Sequence, residues 1–337
     1  MLSEFSLIDR FFARRAATAT TRSSDAASGT LGIGDDCALF APPAGEMLAI
    51  STDMLVEGRH FFADVDPEAL GHKALAVNLS DLAAMGARPQ AFTLAFSLPK
   101  ADEAWLAAFS EGLFALAERH ACALIGGDTT GGPLNLCITV FGSVPPRMAL
   151  RRDAAQPGDD IWISGVLGDA RAGLGVLRNE WTAAHAADAV SFRRALERPE
   201  PRVALGLALR GIAHAALDLS DGLAGDLLHI LERSNVRATV DADAVPRSDA
   251  LRRLPPEIQR RCTLAGGDDY ELCFTAPASA RAAVEAAGHE AGVAVTRIGT
   301  ISAPGAATPA APAIDWRDAA GAPLTLTLQG FDHFHAD

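Results

Sequence analysis

Cysteine is scarce and unpatterned in this chain. Cys37, Cys122, Cys137, Cys262 and Cys273 are odd in number and scattered, and they form no Cys-x-x-Cys pair and have no histidine at ligand spacing. That argues against a disulfide framework or a thiolate metal centre and describes buried free thiols in a reducing compartment. Positive charge is also in short supply, with 29 Lys and Arg against 42 Asp and Glu, a net charge of −13. Nucleic acid and anionic membrane surfaces require a basic footprint, so neither is expected as the main partner. An anionic substrate must instead be met by local arginines and lysines or by a bound metal. No window reaches the ~18 uncharged apolar residues of a membrane span. The stretch Met1 to Arg10 carries Glu4 and Asp9 and lacks the apolar run of a signal peptide, so the expected location is the cytoplasm. Nucleotide signatures are missing too: there is no Gly-x-x-x-x-Gly-Lys-Ser/Thr and no protein-kinase catalytic loop. Gly32-x-Gly34 lacks the third glycine of a dinucleotide fingerprint, because Cys37 stands there. A nucleotide, if bound, is bound through metals.

What the chain has instead is a repeated ending. Apolar runs stop in Gly, Asp, Ser or Thr at Gly32-Ile-Gly-Asp-Asp36, Ser51-Thr-Asp53, Gly126-Gly-Asp-Thr-Thr130, Asp218-Leu-Ser-Asp-Gly222 and Gly266-Gly-Asp-Asp269. Glycine lets the backbone turn tightly and approach a ligand closely, and a carboxylate beside it is placed to hold a cation. Any one of these is an ordinary surface turn; their recurrence is the signal.

With 337 residues, 49% of them hydrophobic and 21% charged, the chain has material for two α/β domains. Pro145-Pro146 sets the expected boundary, giving domains 1–148 and 149–337. In the first, Ser3 to Arg15 reads as an amphipathic helix with Phe5, Ile8, Phe11 and Phe12 on one side, and Ala16 to Thr30 as a loop. A strand from Met47 to Ser51 delivers Thr52 and Asp53, a hydroxyl and a carboxylate able to share one hard cation. Asp66-Pro67-Glu68 starts a helix and Gly86 stops it. That helix is apolar nearly all round, yet Asn78 and Asp81 lie on one face of it. A buried carboxylate needs a partner, which marks Asp81 as a candidate site residue. Strands at Ala91 to Leu98, Ala121 to Ile125 and Leu134 to Val144 and a helix at Asp102 to His120 complete this half.

The second half opens with Arg151-Arg152, a surface pair or a fork for phosphate oxygens. A strand at Asp160 to Ser164 runs into Gly165-Val-Leu-Gly-Asp169 and a helix from Ala170, a glycine turn at a helix N-terminus that reads as a phosphate seat. Helices are expected at Arg202 to Ala213, Leu223 to Arg233 and Ala278 to Ala287. Strands are expected at Ala215 to Leu219, Val236 to Val240, Tyr270 to Thr275, Val293 to Ile301 and Leu324 to Leu328. Pro304 to Pro312, rich in Ala and Pro, reads as a linker.

If Asp36, Asp53, Asp81, Asp128, Asp218 and Asp221 converge, they need cations. Two carboxylates 4 Å apart repel by about 4 kcal/mol at an effective dielectric of 20. Oxygen-only ligands point to several Mg²⁺ or Mn²⁺ ions rather than Zn²⁺, and such sites mostly serve phosphate chemistry.

Taken in order, Gly32-Ile-Gly-Asp-Asp-Cys37, Ser51-Thr-Asp-Met-Leu-Val56, Asn78-Leu-Ser-Asp-Leu-Ala-Ala-Met-Gly86, Gly126-Gly-Asp-Thr-Thr130, Asp218-Leu-Ser-Asp-Gly222, Gly266-Gly-Asp-Asp-Tyr-Glu-Leu272 and Gly330-Phe-Asp-His-Phe334 resemble the thiamine-monophosphate kinase family over nearly the whole chain. The resemblance implies the two-domain PurM-like α/β fold of the aminoimidazole ribonucleotide synthetase superfamily, with an N-terminal domain that pairs with its twin in a homodimer. It implies transfer of the γ-phosphoryl of ATP to thiamine monophosphate, giving thiamine diphosphate. It also implies Mg²⁺ ligands at Asp36, Thr52, Asp53, Asp81, Asp128 and Asp218, with Ser51 and Asp221 in addition. ATP contacts are implied at Arg152, Ser220 and Asp128, and thiamine contacts at His60, Asp268 and Phe331. Position 268 departs from the family, which commonly has Glu there. Other readings stay open: another PurM-like ATP-dependent enzyme, a metal-dependent phosphohydrolase, or a sensor that binds Mg-ATP intact. No Cys precedes Cys37, where a selenophosphate synthetase has its reactive residue, and the chain ends in Phe334-His-Ala-Asp337 where the hydrogenase-maturation relative ends in Cys.

Overall fold

The computed structural model of the chain describes residues 4–13, 15–16, 31–304 and 313–326. Apart from Ala16 and Pro304, the loop read at 16–30, the linker read at 304–312 and the terminal motif with Phe331 lie outside them. Packing divides the chain into two compact units, Met1–Leu82 with Ala87–Arg147 and Ala83–Gly86 with Met148–Asp337.

In the first unit α1 (Glu4–Ile8) continues as a wider π-helical turn, Asp9–Ala13. Phe11 and Phe12 are buried there, with Leu7 in the place expected for Ile8. There follow β1 (Met47–Val56), α2 (Pro67–Ala84), β2 (Arg88–Leu98), α3 (Glu103–Arg119), β3 (Ala123–Gly131) and β4 (Asn135–Val144). The sheet order is β1-β4-β2-β3, with β2 and β3 parallel and the other neighbours antiparallel. The carboxylate of Asp66 accepts from the Ala69 amide at 2.9 Å, and that of Asp102 from the Ala104 and Trp105 amides at 3.1 and 3.2 Å, so both long helices start where a cap stands. They cover one face of the sheet. Phe92, Leu136, Ile138 and Val140 are buried there, each large side chain contributing roughly 2 kcal/mol by leaving water.

β1 runs five residues beyond its expected end at Ser51, because the alternation and the pairing with β4 continue to Val56 opposite Asn135. Consecutive strand residues face opposite ways. Thr52 and Asp53 therefore lie on opposite faces, which corrects the expectation that they share one cation at a strand end.

The second unit holds β5 (Asp159–Ser164), α4 (Asp169–Leu177), α5 (Ala186–Glu197), α6 (Val203–Ala208), β6 (Ala215–Asp218), α7 (Leu223–Ser234), β7 (Arg237–Asp241), α8 (Asp249–Arg252), α9 (Pro256–Ala265), β8 (Leu272–Pro277), α10 (Arg281–Ala291), β9 (Val295–Ser302) and β10 (Ile314–Arg317). Its mixed sheet has the order β10-β7-β9-β5-β8-β6. Ile161, Ile163, Leu217, Leu227, Ile230 and Ile298 form the main core. A smaller cluster of Phe192, Leu251, Leu254 and Cys262 joins α4, α5, α8 and α9.

Several expectations need correction. Among the described residues the last strand is Ile314–Arg317, parallel to β7; of the strand expected at Leu324 to Leu328, 324–326 is not strand and the rest lies outside the described residues, though the Leu324 amide donates to the Trp316 carbonyl. β8 begins at Leu272 because Tyr270 has φ 51°. Cys37 is exposed and Cys137 partly so, while Cys122, Cys262 and Cys273 are buried; all are free thiols. Among the described residues no helix is long and apolar enough to cross a membrane.

Candidate active site

The first unit gathers one group of predicted residues between β1 and α2. Ser51 and Asp53 point from the strand toward the helix. The Ser51 hydroxyl donates to the Asp81 carboxylate, and the Asp53 amide donates to the Asn78 side-chain oxygen at 3.2 Å. The Asn78 amide nitrogen in turn donates to the Ala74 carbonyl at 3.0 Å. Asn78 thus supports β1, and Asp81 and Asp53 are presented from neighbouring elements. The pairing of Asn78 with Asp81 on one helix face is the arrangement read from their spacing.

Other predicted ligands are not in this group. Thr52 lies on the opposite face of β1, its hydroxyl 2.9 Å from that of Thr139. Asp128 is exposed on β3 at the far edge of the sheet and pairs in register with Ala95. Three interstrand steps separate β1 from β3, roughly 14 Å at the usual strand spacing. A single chain therefore does not bring Asp53 and Asp128 onto one ion. Gly127, beside Asp128, has φ 149°, and a Cβ there would collide with the Leu94 carbonyl, so only glycine lets β3 lie against β2 at this point. Asp36 sits on an exposed turn, where the Asp35 carboxylate accepts from its amide at 2.8 Å. His60 follows β1; its Nδ1 accepts from the Val56 amide at 3.0 Å, which leaves a neutral ring's proton on Nε2.

The second unit presents its own acids at the end of β6. Asp218 is buried as the last residue of the strand, and the Ser220 hydroxyl lies 3.4 Å from the Asp221 carboxylate. Asp226, which the sequence reading missed, accepts from the amides of Asp221 and Gly222 at 3.0 and 3.1 Å. Burial, aided by the charges of Asp221 and Asp218, pushes its carboxyl up to about 7 despite those bonds. An acid in the first helical turn after Asp-Gly was the signal for it. Of the Arg pair, Arg151 is forked onto Asp153 at 2.8 Å. Arg152 is exposed, and its carbonyl accepts from Ser234 at 2.8 Å.

Loop 266–271 packs against this acid turn. A Cβ at Gly267 would collide with the Ser220 carbonyl. The Asp268 amide donates to that carbonyl at 2.9 Å and the Tyr270 amide to the Leu219 carbonyl at 2.8 Å. Asp268 and Ser220 are thereby held on adjoining turns. The Gly168 amide at the start of α4 donates to both carboxylate oxygens of Asp269, at 3.0 and 2.9 Å. The Gly168 amide of the phosphate seat read at 165–169 is thus taken by the protein's own Asp269 carboxyl. Among the described residues no group of three or more His, Cys, Asp or Glu is gathered tightly enough to hold a metal, so the acids stand as separate groups. Phe331 lies outside the described residues.

Comparison with known proteins follows the same two-part division. The family model for AIR synthase related protein, N-terminal domain, matches residues 34–144, and that for the C-terminal domain matches residues 156–309. Thiamine-monophosphate kinase of Salmonella typhimurium is 49% identical over 333 residues, covering 98% of each chain. The crystal structure of thiamine-monophosphate kinase from Stenotrophomonas maltophilia K279a is similar with a TM-score of 0.82 and 50% identity, over 93% of this chain and 97% of that one. A structure of AaThiL complexed with AMPPCP and TMP is similar with a TM-score of 0.72 and 26% identity, over 99% and 97% of the two chains.

Proposed function

Because this chain belongs to the thiamine-monophosphate kinase family, with the two-domain fold of the AIR synthase related proteins, we propose that it transfers the γ-phosphoryl group of ATP to thiamine monophosphate, yielding thiamine diphosphate and ADP. The observation that carries this reading is the 49% identity over 98% of both chains. The AaThiL structure complexed with AMPPCP and TMP supports the pairing of a nucleotide with a thiamine ester. The acceptor is already a phosphate oxyanion, so no general base is required. Catalysis reduces to aligning two anions for direct in-line transfer and countering their charge.

The donor set fits Mg²⁺. It is all oxygen, and the charges of Asp221 and Asp218 add to burial in raising Asp226, so a cation near that turn would relieve them. In this reading Asp36, Ser51, Thr52, Asp53, Asp81, Asp128, Asp218 and Asp221 hold the ions. When bound, Mg²⁺ supplies charge neutralisation for the phosphates. Arg152, Ser220 and Asp128 bind ATP, and His60, Asp268 and Phe331 bind the thiamine compound. A neutral His60 offers its Nε2 proton to an acceptor. Since Asp53 and Asp128 are apart in one chain, they serve different ions or different copies. The copies associate through the uncharged face of β1, where Leu48, Ile50 and Met54 are exposed.

Phosphorus NMR of the protein with Mg-ATP and thiamine monophosphate, against a control lacking the acceptor, tests the reading. Thiamine diphosphate and ADP are expected together and only in the complete mixture. Phosphate released in both tubes would replace the kinase with a hydrolase. No change in either would remove both.

A further inference from the structure

Two side-chain-bearing residues of loop 266–271 are strained. Asp268 stands at φ 68° and Tyr270 at φ 51°, left-handed conformations that each cost a non-glycine residue on the order of 1 kcal/mol. Such strain persists only where the surroundings over-determine the backbone. Backbone bonds to Ser220 and Leu219 hold the two strained residues themselves. On one side of the loop the Asp269 carboxylate accepts from the Gly168 amide. On the other, buried Glu271 is clamped by the guanidinium of Arg202, with Nε at 2.6 Å, and by the Ser164 hydroxyl. Asp269 lies between the strained pair and ties them to the first turn of a nine-residue helix, α4.

That tie is costly. Burial above all, then the charges of Glu271, Asp169 and Asp268, pushes the Asp269 carboxyl well above the usual carboxylate range. An apolar residue would avoid the cost but would leave the loop unheld on that side.

We propose that Asp269 is a positioning residue that acts through its neighbour. By gripping the Gly168 amide it holds Asp268 in the left-handed conformation from which the Asp268 carboxylate meets thiamine monophosphate, so it governs acceptor binding and leaves ATP binding alone. The inference rests on the kinase reading, which assigns Asp268 to the thiamine compound.

The test is steady-state kinetics of Asp269→Ala, Asp269→Asn, Asp268→Ala and the Asp268→Ala/Asp269→Ala double variant, with amide hydrogen exchange of the 266–271 segment. Asp269→Ala is expected to raise KM for thiamine monophosphate about tenfold and to leave KM for ATP within about twofold. Asp269→Asn keeps an oxygen for the Gly168 amide and is expected to recover most of the loss. The double variant is expected to be no worse than Asp268→Ala, because the two residues act as one unit. Exchange in 266–271 is expected to quicken in Asp269→Ala. An unchanged KM for the thiamine compound, equal rises in both KM values, additive losses or unchanged exchange would each overturn the proposal. If Asp269→Ala does not fold, Asp269→Ser is judged by the same criteria, and failure of both to fold assigns the residue to the fold instead. A wild-type chain that makes no thiamine diphosphate defeats the kinase reading, and the exchange result still decides whether Asp269 locks the loop.

Discussion

A buried carboxyl is held down where a guanidinium pairs with it and rises where burial outweighs its backbone donors, and this chain holds both kinds. Asp160 is 1% exposed in β5 and takes the fork of Arg281 at 2.6 and 2.9 Å, with Arg297 at 3.4 Å. The Arg281 bonds, helped by the charges of Arg281 and Arg297, hold its carboxyl below the ordinary range against the pull of burial. For Asp226 and Asp269 burial outweighs the lowering by their amide donors, and both are pushed up. The first arrangement favours the ionised form in the folded chain, and the second disfavours it. For Asp160 the sign follows from linkage. Its folded pKa lies below the unfolded value of about 3.9, so its contribution is complete above that pH and is lost as pH falls through the folded value. Urea unfolding from pH 6 down to pH 2 is expected to show wild-type stability falling below about pH 4, and Asp160→Asn to lose part of that slope and be less stable at pH 6. Both arginines are half exposed, so solvent screens the effect and keeps it small. An identical slope in the variant would remove Asp160 from the acid transition.

The contact between α2 and α3 depends on two glycines. A Cβ on Gly71 would collide with the Phe109 carbonyl, and one on Gly112 with the Glu68 carbonyl. Each helix thus lays bare backbone against the other, and no flexible side chain can yield. Gly112→Val is expected to destabilise the first unit by about 3 kcal/mol, read from denaturant midpoints, since overpacking outweighs any gain in helix propensity. A change near zero would mean that the helices part without cost. The existence of these helices was legible, because Asp66-Pro67 and Asp102 are local capping signals and the apolar spacing between caps is regular. α5 was not read: only Asp188, Phe192 and Leu196 are buried along it, too thin an apolar stripe to show a period. The strand at Ile314–Arg317 was missed because four residues carry little pattern. The site divides in the same way. The placing of Asp81 on an apolar helix beside β1 was legible as an acid that needs a partner, whereas Ser51 and Asp53, read as a strand ending, lie inside β1. The grip of Asp269 on Gly168 spans 101 positions and has no local trace. Thr52 and Asp53 were read as sharing one cation because β1 was ended too early, which hid the alternation that sends neighbours to opposite faces.

β1 carries an exposed apolar face at the edge of the first unit's sheet. It is an edge strand, and its outward face presents Leu48, Ile50, Thr52, Met54 and Val56, with Ile50 60% and Met54 54% exposed. An apolar face on an unpaired edge is either covered by a partner or a hazard. Its occupant is taken to be a second copy. The chain carries a net charge of −13, so two copies repel over most of their surface, and this run of uncharged side chains is where they can approach. A two-fold contact is self-complementary, so one substitution appears in it twice. Ile50→Glu is therefore expected to place two charges in a desolvated interface and to convert the species seen by sedimentation from twice the chain mass to one chain mass, with the far-ultraviolet spectrum unchanged. A wild-type chain that sediments as a monomer at micromolar concentration would remove the dimer from the reading. The same variant bears on the chemistry. Asp53 and Asp128 lie on opposite edge strands, so if a second copy completes an ion site, monomeric Ile50→Glu loses turnover together with its dimer. If each chain works with its own ions, turnover per chain persists in the monomer.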